Sequence, residues 1–365
     1  MLSAERDTRL VCRITFELAG HIAQCRLSDI MKRFSRTLNI SLSVVAIASA
    51  LSLTTPLVRA KDPSRALAKP TAVRLPSVGT QVKIETFSDQ DADAIARVGF
   101  EFVRFGVWTD RLGDAAYVRR VARAFSIADG ARLPVLLTVR STVPLGAEGE
   151  ARPAQMEVAG RQFGAQINAL TQKYGKQLIG IELWNEPDMS RYWPTGQPAE
   201  TFPPFVRGLC AQIDASRVPV YGFGFARAPV GRNDASRLLQ SALSEAPKCI
   251  HAVSYHAYGM TPAQVGDAAR EVRSHYGLPT MITEWGVPSQ GSSTSSLANQ
   301  AHRFGTFVAL VDTLDVSLVS IYEWKDTERA ASARERSFGL VDANGAAKPA
   351  LGSVTAYFSR RPGAR

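Results

Sequence analysis

The chain has 365 residues, 45% of them hydrophobic, and a formal net charge of +10. This is enough chain and apolar surface for one large domain or two small ones. Residues 1–60 hold eight Lys/Arg against four Asp/Glu; the remaining charge is scattered, with no dense basic run interleaved with aromatics, so no nucleic-acid partner is expected. The surplus suits solubility, and it would also attract an acidic polysaccharide.

The N-terminus reads as an export signal. Met31-Lys32-Arg33 opens a basic segment that continues to Arg36, and Ile40–Leu53 is an uncharged, mostly apolar run. Val58-Arg59-Ala60 then supplies small residues at the −3 and −1 positions of a cleavage site. The run is short for a bilayer span, so no stable membrane anchor is expected once the signal is removed. Residues 1–30 precede this signal, and Met31 is read as the true start. A leader over 1–60 implies a secreted or periplasmic protein. Cys12 and Cys25 leave with it, and Cys210 and Cys249 remain. In an oxidising compartment these two form either a disulfide or two separately buried thiols.

Residues 61–78, rich in Pro, Ala and basic side chains, read as a linker. From 79 to 365 strands and helices alternate. Strands are predicted over 81–85, 100–106, 133–139, 177–185, 218–224, 250–255, 280–283 and 316–324. Helices are predicted over 89–98, 115–129, 153–174, 202–215, 236–245, 262–276, 296–313 and 347–359. Eight strand–helix units in this order specify an α/β fold, the TIM (β/α)8 barrel. The rival open sheet lacks its signature, because Gly222-Phe-Gly224-Phe-Ala-Arg227 has no third glycine.

The chemistry gathers at the strand ends, where such a barrel places its active site. Strand four runs through Glu182 into Trp184-Asn185-Glu186-Pro187. Pro187 cannot donate to a ladder and biases Glu186 away from helix, so Glu186 ends the strand. Strand seven ends similarly, in Thr283-Glu284-Trp285-Gly286. Two carboxyl groups presented on one face meet the requirement of glycosidic bond cleavage. Trp108, Trp184, Trp193, Trp285 and Trp324 all fall at or just beyond strand ends, which would put aromatic platforms for sugar rings on that face. Strand six ends in His256-Ala257-Tyr258, and Tyr258 is placed to donate to a carboxylate. Arg104 sits inside the apolar second strand and needs a carboxylate partner, because an unpaired buried guanidinium is very costly. Glu182, in mid-strand, is the expected partner. Glu85, Glu323 and Asp188 are competing carboxylates. Asp188, Arg191, Tyr192 and Trp193 serve either the cleft or the scaffold of the loop after strand four.

Taken together, these stretches resemble the retaining glycosidases of glycoside hydrolase clan A, in forms similar to families 39 and 5. The Phe338-Gly339-Leu340-Val341-Asp342 run before the last helix fits the same pattern. The resemblance spans about residues 79–360. It implies that Glu186 is the acid/base and Glu284 the nucleophile. Arg104, Asn185, His256, Tyr258, Trp108, Trp193, Trp285 and Trp324 would bind substrate. It also implies β-linked poly- or oligosaccharide substrates, with no metal or cofactor. A monomer is expected. Tyr322-Glu323-Trp324-Lys325-Asp326 departs from the family 5 form. The second reading is a carbohydrate-binding protein on a silent glycosidase barrel; retention of both glutamates argues against it.

Overall fold

The computed structural model describes residues 75–146, 153–290 and 293–361. The signal segment, the Ala60 cleavage site, and Cys12 and Cys25 lie outside the described residues. Eight parallel strands close into a barrel in sequence order, each followed by a helix. The strands are β1 Ser77–Gln81, β2 Val103–Trp108, β3 Val135–Arg140, β4 Leu178–Leu183, β5 Val220–Phe225, β6 Ala252–His256, β7 Thr280–Trp285 and β8 Leu318–Ile321. The helices are α1 Asp89–Val98, α2 Ala115–Gly130, α3 Pro153–Tyr174, α4 Pro198–Gln212, α5 Asp234–Glu245, α6 Pro262–Tyr276, α7 Thr294–Val308 and α8 Pro349–Arg360. The TIM barrel expected from the sequence is therefore the fold.

The strands are near-continuous apolar runs because both of their faces are covered. Val135–Val139 and all of β5, β6 and β7 are buried throughout. The helices begin where the sequence supplies caps. Ser88 and Asp91 form a capping box at α1, Thr261 and Gln264 another at α6, and Asp114 caps α2. Helices α3 and α4 pack unusually closely. A Cβ at Gly160 would lie 2.1 Å from the Phe205 carbonyl oxygen, and one at Gly208 would lie 1.9 Å from that of Glu157. No larger residue fits that crossing without moving backbone.

One strand lies elsewhere than the sequence indicated. The first strand is Ser77–Gln81, not 81–85, and so includes the last residues of the expected linker. The extended chain continues for a residue past Gln81, where the Val82 amide still bonds the Arg104 carbonyl at 2.9 Å, and Val82 and Ile84 join the buried core. Cys210 on α4 and Cys249 before β6 are joined by a disulfide, with a Cα–Cα distance of 5.4 Å. This settles in favour of the bridge what the sequence left open.

Candidate active site

Arg104 on β2 is the centre of the site and is wholly enclosed. Its Nε donates to Glu182 Oε2 at 3.0 Å, and Nη2 contacts the same oxygen. Its Nη1 donates to Glu284 Oε1 and to Gln81 Oε1, both at 2.6 Å. Its Nη2 also reaches Asn185 Oδ1 at 3.2 Å. One planar cation thus ties β1, β2, β4 and β7 together at the barrel mouth. Glu182 is the mid-strand partner that the sequence required. With the Asn185 carbonyl engaged, its NH2 is the group left to donate.

The two expected glutamates meet. An oxygen of Glu186, an oxygen of Glu284 and a ring nitrogen of His256 all lie within 4.8 Å of one another. His256 Nδ1 is 2.8 Å from Glu186 Oε1 and 3.4 Å from Glu284 Oε2. The Tyr258 hydroxyl donates to Glu284 Oε2 at 2.7 Å. The β6–β7 register pairs His256 with Glu284, which brings these groups side by side. Three such donors could ligate a cation, but both Glu284 oxygens already accept hydrogen bonds from Arg104 and Tyr258.

The environments of the groups differ in kind. Burial alone would raise the Glu284 pKa, but His256, then Arg104 and the Tyr258 hydroxyl, outweigh it and bring it down to about 2. Burial and the adjacent Glu284 charge push the Tyr258 phenol well above its ordinary value, so it remains a donor. Burial also disfavours a charged His256, yet Glu284 and the bond to Glu186 prevail and raise its pKa. Lys83 donates to the Tyr322 hydroxyl at 2.9 Å and pairs with Glu323 at 3.3 Å. Burial opposes its charge, but Tyr322 and Glu323 hold it protonated, and its field reaches Glu284.

The backbone turns sharply where β4 ends. Trp184 and Glu186 both have left-handed φ, at 67° and 54°. This conformation is costly for residues with side chains and clusters at functional sites. Neighbouring strands pin it in place: Trp184 N–H bonds the Val139 carbonyl and Glu186 N–H the Gly224 carbonyl, both at 2.8 Å. The turn sends Trp184 outward, against Phe163 and Phe205 on α3 and α4, while Glu186 faces Glu284.

The aromatic platforms expected from the sequence are largely absent from this face. Trp193 packs among Trp184, Phe202 and Phe205, and its Nε1 donates to Thr201. Trp285 stacks on Phe307 of α7, with ring centroids 3.7 Å apart. Trp324 donates to Asp91 of α1 and meets Phe100 edge-on. All three belong to the buried core between barrel and helices, so none presents a surface to sugar. For Trp285 the reason is the strand period of two: it adjoins Glu284 within β7, so an inward carboxyl requires an outward indole, whereas Trp324 lies past the end of β8. Trp108 differs. It is half-buried, and its ring folds over Gly106, where a Cβ would lie 2.5 Å from the indole.

Among the competing carboxylates, Glu85 is exposed, and Asp188 accepts the Ala226 amide at 2.9 Å as loop scaffold. Glu323 is enclosed with Lys83 and Thr327. Gln81, Lys83, Tyr322 and Arg140 were missed in the sequence. Each of them sits at or just past a strand's carboxyl end, which was the available signal.

Several solved structures share this fold. The exo-β-1,4-mannosidase Op5Man5 from Opitutaceae bacterium strain TAV5 is 16% identical with a TM-score of 0.58; the match covers 78% of this chain and 59% of that one. A family 39 glycoside hydrolase from the gut symbiont Bacteroides cellulosilyticus WH2 is 15% identical, TM-score 0.59, over 78% of this chain and 63% of that one. A GH5_18 protein from Bifidobacterium longum subsp. infantis is 14% identical, TM-score 0.61, over 78% of each chain. This chain therefore spans about three-fifths of the length of the first two. No family model matches the sequence, and no curated protein does.

Proposed function

We propose that the chain is a retaining glycoside hydrolase that cleaves β-glycosidic bonds of a poly- or oligosaccharide. The observation that carries this reading is the approach of Glu186 and Glu284, one oxygen of each lying within 4.8 Å of the other. Retaining enzymes hold their two carboxyl groups about 5–5.5 Å apart, too close for a water to enter between carboxylate and sugar. The likeness in fold to glycoside hydrolases of families 39 and 5 supports the same reading.

In this mechanism Glu284 attacks the anomeric carbon as the glycosidic bond breaks. Arg104 and Tyr258 each hold one of its oxygens, keep it ionised and fix its direction. Glu186 gives its proton to the departing oxygen, and His256 orients it through the 2.8 Å contact. Glu186 then takes a proton from water, which attacks the glycosyl–Glu284 ester. The sugar leaves with its original configuration and both glutamates return to their starting states. Asn185 offers its amide to the sugar 2-hydroxyl. The proton bookkeeping closes on these side chains alone. Of the five tryptophans, Trp108 is the one left to contact sugar at the rim. We also propose that the protein is exported and acts as a monomer. Among the described residues no helix is long and apolar enough to cross a membrane.

Azide products of two variants test the assignment. With an activated aryl β-glycoside, Glu186→Ala retains glycosylation and accumulates the intermediate, and azide rescues turnover to give the β-glycosyl azide. In Glu284→Gly, azide takes the nucleophile's place and gives the α-glycosyl azide. NMR of the adducts reads the configuration independently of rate. Swapped configurations reverse the two roles, and near-normal activity in either variant removes that glutamate from the mechanism.

A further inference from the structure

Arg140 closes β3 at the barrel mouth, in register with Trp108 of β2. Its guanidinium lies 4.6 Å from the Trp108 ring centroid and 5.0 Å from that of Tyr192, in the loop after β4. Its Nε is buried without a hydrogen-bond partner. No carboxylate among the described residues forms an ion pair with it, whereas Arg104, Arg161, Arg207, Arg273 and Arg361 each have one. The nearest acidic group by its influence is Asp110, and both Asp110 oxygens are taken by the Thr142 amide and hydroxyl, at 2.7 and 2.6 Å. A second guanidinium with no ion-pair partner among the described residues, that of exposed Arg191, lies 4.5 Å from the other contact of Arg140, the Tyr192 ring.

Burial works against the Arg140 charge and lowers its pKa, although Tyr192, Asp110 and Glu186 oppose this. Withdrawing a guanidinium from water without an anion is costly, and ring faces replace hydration only in part. Two aromatic contacts also hold the planar fork in one orientation, the arrangement suited to a bidentate carboxylate. Arg140 lies close enough to the catalytic pair for the Glu186 charge to act on it.

Building on the glycosidase reading, we propose that the site takes an acidic polysaccharide and that Arg140, stacked between Trp108 and Tyr192, binds a carboxylate on a sugar next to the bond cleaved. Arg191 strengthens the attraction at the rim. Two sources supply this chemistry, a uronic acid and a pyruvate ketal.

The test uses β-linked acidic heteropolysaccharides, each paired with two derivatives. Carbodiimide–borohydride reduction converts the carboxyls of both uronates and pyruvate ketals to alcohols, and mild acid removes pyruvate ketals alone. Wild-type kcat/KM is expected to fall at least tenfold on the reduced derivative of the polymer it cleaves; a fall on that derivative alone names a uronate, and an equal fall after mild acid names the pyruvate ketal. Arg140→Gln should shrink this preference tenfold or more, and Arg140→Lys should lie between, keeping charge but losing the fork. A preference unchanged in Arg140→Gln, or wild-type cleavage indifferent to both treatments, overturns the proposal. Binding is read separately by affinity electrophoresis of Glu284→Gln in gels containing each polymer. Retardation by acidic polymers that disappears on carboxyl removal, and weakens when Arg140→Gln is added, supports the assignment without turnover. No retardation by any acidic member overturns it. Carboxyl-dependent binding with no wild-type cleavage of any polymer would leave Arg140 in place and sink the glycosidase reading. Cleavage blind to carboxylates would do the reverse.

Discussion

Arg104 and Glu284 stand 180 positions apart in the chain, yet a guanidinium nitrogen of one lies 2.6 Å from a carboxylate oxygen of the other. Closing the barrel is what brings them together, so the charge state of Glu284 is a property of the tertiary fold. Glu182 shares the same cation, and the interior therefore holds two carboxylates against one guanidinium.

Arg104→Met removes that cation and leaves Glu182 and Glu284 facing each other without it. Breaking a buried pair in this way costs about 3–5 kcal/mol. Urea unfolding at neutral pH should show this loss, and adding Glu182→Gln should recover part of it. A change within about 1 kcal/mol, the ordinary effect of a point mutation, would show that Arg104 does not stabilise the fold.

Tyr258→Phe deletes one donor to Glu284. A hydrogen bond to a charged group contributes about 1.5–3 kcal/mol, so the Glu284 pKa should rise from about 2 by roughly one to two pH units. The acid limb of kcat/KM should move to higher pH by that amount. An unmoved acid limb with lowered kcat would instead place Tyr258 on the substrate.

Stability should peak on the acid side of neutrality. Glu284 has an ordinary value of 4.5 and a folded value of about 2, so its contribution is complete above 4.5 and is lost as pH falls toward 2. His256 is shifted the other way: its contribution is complete below its ordinary 6.5 and is lost as pH rises through the higher folded value. The melting temperature measured against pH should therefore be highest between about 4.5 and 6.5. His256→Asn should flatten the alkaline side and, because His256 is the foremost group lowering the Glu284 pKa, also move the acid limb to higher pH.

The disulfide closes a loop between Cys210 and Cys249, 39 positions apart. Chain-entropy arguments put its contribution at about 4 kcal/mol for a loop of that length. Thiol titration of chain 61–365, unfolded without reductant, should find no free thiol. Replacing both cysteines with serine should lower unfolding free energy by about that amount; two titratable thiols would dispose of the bridge.

Cleavage after Ala60 should leave Lys61 as the first residue of exported protein. N-terminal sequencing reads this directly, and exported protein that retains Met31 contradicts it.

The barrel was legible because parallel strands buried on both faces read as apolar runs, and because helix caps and prolines mark where each helix begins. Glu186 and Glu284 were legible for a related reason, since each ends such a run abruptly. The first strand was misplaced because Val82 and Ile84 extend its apolar pattern past Gln81, where the strand ends, and periodicity does not show where pairing stops. The tryptophans were misjudged by treating nearness in sequence to a carboxylate as nearness in space. Adjacent strand residues face opposite ways, and this rule places Trp285 outside the barrel once Glu284 lies within it; Trp324 lies past the end of β8, where the strand period no longer applies. Trp184 escapes that rule, because its left-handed φ redirects it. No pattern in the sequence marks that turn beyond the proline that follows. Arg140 was invisible because its significance is a missing partner, which is a fact about space and not about spacing.

The burial of the indoles bears on how this protein can be watched. Trp184, Trp193, Trp285 and Trp324 are each no more than 3% exposed, and Trp108 alone stands half-open at the mouth beside Arg140. Intrinsic fluorescence therefore divides into two signals. Four emitters report whether the barrel and its helices remain assembled, and they should stay blue-shifted and silent when sugar arrives. Trp108 supplies the response to ligand, and Trp108→Phe should erase that response while leaving the unfolding signal intact.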